Sequence, residues 1–164
     1  MENLLSLISF DNDGVMAAIS EANDETDQYG LILSASEIKD ICNVYKNALS
    51  ENRIVEFGAG GVTKIQKAFA ASDFVDKSNF AEIVEVMTEM FYFIKREVEV
   101  EVGDDSLINA MLNAFDNHSH GSADIFCSRE AKTLIRYINE GRESLEIAGE
   151  DDYDFIPEEF YENE

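Results

Sequence analysis

The chain has 164 residues, 35 acids against 12 bases, and a net charge of −23. That length suits one domain with a core of its own, and a field of that sign disfavours direct contact with nucleic acid or an anionic membrane. Two cysteines, Cys42 and Cys127, build no disulfide framework and suit a reducing compartment.

The charge is uneven. Residues 1–30 carry seven acids and no base, 31–80 six of each, 81–127 ten acids and two bases, 128–142 four bases and two acids, and 143–164 ten acids and no base. Position 2 is an acid where a secretory leader has Lys or Arg. The longest apolar run, residues 90–94, is too short to cross a bilayer. The chain therefore reads as cytoplasmic, without a membrane partner.

Taken in order, residues 4–8 and 15–22 are weak helix candidates. The first strong one is SASEIKDICNVYKNALSENR, where Ile38, Ile41, Cys42, Tyr45, Ala48 and Leu49 recur at helical spacing. Ser34 with Glu37 forms a capping box at its start. GVTKIQKAFAAS follows with Val62, Ile65 and Phe69. NFAEIVEVMTEMFYFIKREV carries the stripe Phe80, Ile83, Val84, Met87, Met90, Phe91, Ile94 and Val98, with Asn79 and Glu82 as a second cap of the same type. Its apolar residues occupy most of the circumference, which predicts a central helix or one covered by a partner. DDSLINAMLNAF repeats the pattern after Ser106 or an Asp as cap. SREAKTLIRYINEG closes it, capped by Ser128 and stopped by Gly141.

Two short segments, residues 29–33 and 53–57, also suit extended chain, and a two-stranded ribbon pairing them is the alternative there. EVEVEV, residues 97–102, reads either as a strand or as a helix end before Gly103. The expected fold is all-α: a compact bundle of five to seven helices over residues 1–142, with a flexible acidic, aromatic tail over 143–164.

Three stretches are candidate sites. In RIVEFGAGGVTKI, Gly58, Gly60 and Gly61 precede Lys64. The P-loop needs the Lys directly after its last Gly, and the dinucleotide fingerprint needs a third Gly where Thr63 stands. The stretch reads first as a turn that starts a helix, and secondly as an anion site of Gly60, Gly61 and Lys64 at that helix start. In DNHSHGSADIFCS, His118, His120 and Cys127 are the candidate metal ligands, with Asp116 and Asp124 nearby. A second half such as C-x-x-C is lacking, and a polar loop explains the same composition. In the tail, Tyr153, Phe155, Phe160 and Tyr161 lie among acids that include Asp151 and Asp152. Aromatic anchors flanked by carboxylates suit docking on a basic partner, and a solvated terminus is the plainer reading. No nucleophile motif appears, and no cofactor is implied.

The blocks YGL (29–31), VEFG (55–58), NF (79–80), FYFIKRE (91–97), DDSLI (104–108) and GS (121–122) together resemble a family of small uncharacterised proteins from Gram-positive, mainly clostridial bacteria, domain of unknown function 6323. The resemblance spans about residues 3–141 and implies a bacterial, intracellular helical protein. It carries over no catalytic residue. After VEFG the family runs on with a Gly-Ile pair, whereas this chain reads AGGVTK.

The sequence leans away from an enzyme, towards an acidic protein–protein interaction module with a basic protein partner. A nucleic-acid mimic that blocks a DNA- or RNA-binding protein is a second reading. A small metal protein or enzyme built on residues 116–127 is a third.

Overall fold

The structure, a computed structural model, describes residues 11–141. Asp11 accepts a hydrogen bond from the Gly14 N–H at 3.0 Å and so caps helix α1, Asn12–Thr26. A 3-10 turn, Asp27–Tyr29, ends at Gly30, and residues 31–34 then run without helix. The capping box expected for the next helix, α2 (Ala35–Glu51), is present. The Glu37 N–H donates to Ser34 Oγ at 3.1 Å, and the Ser34 N–H donates to Glu37 Oε1 at 2.8 Å.

Helix α2 ends in a Schellman motif, with the Arg53 N–H on Ser50 O and the Ile54 N–H on Leu49 O. The left-handed position of that motif, usually glycine, is Arg53 at φ 56°. Helices α3 (Gly60–Ala70), α4 (Phe80–Glu97) and α5 (Asp104–Asn117) follow. The helical turn Ala123–Ile125, the π-helical turn Phe126–Glu130 and the helix Ala131–Asn139 run on as one rod, α6. Gly141, at φ 73°, ends it.

Helix α4 is the central element, as its nearly all-round apolar pattern predicts. It packs against α2, α3 and α6, while α1 lies on α2 and α3, and α5 on α3 and α6. Its buried residues are Phe80, Ile83, Val84, Met87, Thr88, Phe91, Tyr92 and Ile94. Fully burying one of the larger of these side chains contributes about 1.5–3 kcal/mol.

The all-α expectation holds, with six helices among the described residues, but several local expectations do not. The two-stranded ribbon is absent, because among the described residues there is no strand. Segment 31–34 instead bonds to side chains of α1. Asn23 donates to Leu33 O and accepts from the Leu33 N–H, and Thr26 Oγ1 donates to Leu31 O at 2.6 Å. EVEVEV is no strand either: α4 stops at Glu97 and the rest is loop. Asn79 does not cap α4 with its side chain. It spends that amide on the preceding turn, accepting from the Asp76 N–H and donating to Phe74 O. Ser128 lies inside the π-helical turn, and the cap of α6 is Ser122, whose hydroxyl accepts from the Ile125 N–H. The predicted helix at 4–8 and the segment 143–164 lie outside the described residues.

The Arg53 backbone gives a direct test. Left-handed geometry costs a residue with a Cβ roughly 1–2 kcal/mol, and glycine escapes most of that. Arg53→Gly is therefore expected to raise the unfolding free energy by about 1 kcal/mol in urea titration.

Candidate functional site

Between α2 and α3 the chain turns through Ile54–Ala59, and there the side chain of Glu56 folds inward, only 14% exposed. Its Oε1 accepts two hydrogen bonds, from the Tyr45 hydroxyl of α2 at 2.8 Å and the Tyr92 hydroxyl of α4 at 2.6 Å. Tyr92 Oη in turn accepts from the Gly61 N–H, in the first turn of α3, at 3.1 Å. Burial, and then the bond to Glu56, push both phenols far above the ordinary tyrosine range, so both remain donors. Lys95 stands 3.9 Å from the second carboxylate oxygen and makes its short contact, 2.8 Å, with Asp104 at the head of α5.

This network accounts for the glycine stretch. The first turn of α3 has no side-chain cap of its own; one of its amides is satisfied through Tyr92, whose proton goes to Glu56. Gly60 sits at φ 44°, and a Cβ there would overlap the Glu56 carboxylate. A Cβ on Gly61 would come within 2.6 Å of the Phe91 ring. The position beside the helix start is thus filled by the chain's own carboxylate. Lys64, the third member of the predicted anion set, points elsewhere and pairs with Asp105 at 3.2 Å on an exposed surface.

The predicted metal ligands lie around a different latch. Glu130, fully buried on α6, accepts from Ser119 Oγ at 2.8 Å and from Arg129 Nε at 2.7 Å, and Arg129 also donates to the His118 carbonyl. His120 is exposed, with φ 49°, and His118 is half-buried. Burial, then Asp124 and Glu89, raise the Cys127 thiol above its ordinary range and keep it protonated. Among the described residues no three His, Cys, Asp or Glu side chains are placed to hold a metal ion. His118, His120 and Cys127 are therefore not gathered into such a set.

The third feature is a concentration of acid. Glu82, Glu85 and Glu89 follow one another along one side of α4, facing Glu37 and Asp40 of α2. Glu85 is raised above the ordinary glutamate range, first by partial burial and then by Asp40, Glu89, Glu82 and Glu37. Sequence reading passed over this group, because carboxylates occur throughout the chain and only the packing of α2 on α4 faces these five together. Glu56 and Glu130 were missed for the same reason. The predicted partner contacts Asp151, Asp152, Tyr153, Phe155, Phe160 and Tyr161 lie outside the described residues.

Residues 18–144 match the model of a family of unknown function, DUF6323. No curated protein and no solved structure matches the chain. Among the described residues no helix is long and apolar enough to cross a membrane.

Two outcomes test this geometry. Tyr92→Phe leaves the buried Gly61 N–H without its acceptor and Glu56 with one donor fewer, and is expected to cost about 1–3 kcal/mol in chemical denaturation. For Glu85, a folded-state pKa above the unfolded value means that ionisation penalises the fold. The penalty is full above the raised value and vanishes below the ordinary glutamate pKa. Glu85→Gln should therefore raise the melting temperature at neutral pH, with the gain shrinking as pH falls through that window.

Proposed function

The chain belongs to the DUF6323 family, whose function is unknown, and we propose that it is an acidic protein–protein interaction module whose partner is a basic protein. The observation that carries this reading is the group of acids around Glu85. A fold gains nothing in stability from the mutual repulsion of carboxylates on facing helices. A cationic partner converts that repulsion into attraction, adding specificity and a faster, salt-sensitive encounter.

The net charge of −23 extends the same field over the molecule. The tail supplies the apolar part of the contact: Tyr153, Phe155, Phe160 and Tyr161 as anchors, with Asp151, Asp152 and their neighbours to steer them.

The test is capture of partners by the full chain at low and high salt, compared with a variant carrying Tyr153→Ser, Phe155→Ser, Phe160→Ser and Tyr161→Ser. Basic proteins released by salt and lost from the variant are the expected result. A captured set that is neutral, insensitive to salt and unchanged in the variant would sink the reading. Competition by DNA at low salt would identify the partner as a nucleic-acid-binding protein.

A further inference from the structure

A groove of about 350 Å3 opens between segment 31–34 and the start of α4. Its lining mixes polar surface with apolar residues, Leu31, Ile32 and Leu33 on one side and Phe80 and Ala81 on the other. Burial alternates along the segment as it does in a strand: Leu31 and Leu33 are 3% exposed, and Ile32 is 59% exposed. The backbone alternates with it. Both polar groups of Leu31 and both of Leu33 are bonded inward to Asn23 and Thr26. The N–H and C=O of Ile32 have no hydrogen-bond partner among the described residues. A groove beside an extended segment with free backbone groups can take an extended peptide, whose main chain bonds to those groups while a side chain enters the pocket.

Charge chooses the occupant. Asp27 and Glu37 line the groove, and Glu37 is also one of the carboxylates that act on Glu85. The groove and the acidic group on α4 therefore share Glu37. We infer that this groove binds an extended cationic segment of a partner protein, with one apolar side chain seated between Ile32 and Phe80, backbone hydrogen bonds to Ile32, and Lys or Arg residues against Glu37 and the α4 carboxylates. The inference rests on the acidic-module reading and gives it a location on the folded part of the chain. Lys77, which lines the groove and has no ion pair among the described residues, is the one like charge that the segment meets.

The experiment uses the full-length protein and a labelled synthetic peptide with one leucine flanked by arginines and lysines. A charge-matched peptide with glycine for leucine serves as the control. Binding is followed by fluorescence anisotropy and mapped by amide chemical shifts. The leucine peptide is expected to bind more tightly and to shift residues 30–34 and 77–89. Ile32→Ser, at an exposed position, and the combination Glu82→Gln, Glu85→Gln, Glu89→Gln should each raise Kd about tenfold or more. Thermal melts of both variants confirm that the fold is kept. Lys77→Ala should lower Kd.

Equal binding of the two peptides, or shifts confined to other surfaces, overturns the groove. Binding that ignores Ile32→Ser but is lost with the four tail serines overturns the groove and leaves the acidic module standing. Failure of any cationic peptide to bind, together with no basic partner captured by the full chain, overturns both.

Discussion

The carboxylate of Glu56 holds three helices at one point. Tyr45 comes from α2, Tyr92 from the centre of α4, and Gly61 from the first turn of α3, and all three are joined through the oxygen that Glu56 presents. An ionised group at that depth is costly unless its lone pairs are used. Two phenol donors use them, and the salt bridge between Lys95 and Asp104 extends the polar chain to the head of α5. The glycines follow from this arrangement. Gly60 leaves room for the carboxylate and Gly61 for the Phe91 ring, so the apparent phosphate loop is the recess into which the protein's own acid folds.

Carboxylates meet two different fates in this molecule, and the contrast is informative. Glu56 is partly buried and Glu130 fully buried, and both are supplied with donors, as structural ion sites are; Glu130 has Ser119 and Arg129. Glu85 is half-exposed, and the charged groups that act on it most are other carboxylates. The first arrangement ties segments together. The second keeps an unfavourable field at the surface, and such an arrangement becomes favourable only when a cation arrives from outside.

The helical reading was legible because it depends on short-range pattern. The stripe of α2 and its capping box, the encircling apolar pattern of α4 and the stop at Gly141 all lie within a few turns of chain, and each is present. The failures are local signals overridden by distant partners. Asn79 looked like a cap, but Phe74 O and the Asp76 N–H took its amide. For residues 29–33 the short-range pattern leaves a strand partner open as an alternative, and Leu31 and Leu33 bond to two side chains of α1 instead. Ser128 was read as a helix start, and it lies inside a helix that begins at Ser122.

Taken alone, the sequence determined the class of object: an acidic helical chain with its amphipathic faces, its capping box at Ser34 and Glu37, its departure from both phosphate-loop spacings, and the blocks that carry its family resemblance. Those properties reside in composition and in spacings of three or four residues. Tertiary structure alone decided that VEFG, FYFIKRE and DDSLI meet at Glu56, Tyr92, Lys95 and Asp104, and that Gly30, Leu31 and Phe80 line one groove. It also decided which of 35 acids face one another. Charge and hydrogen bonding act over a few ångströms in space, whatever the separation along the chain. Packing therefore had to bring residues 30–50 positions apart together before those groups could act on one another.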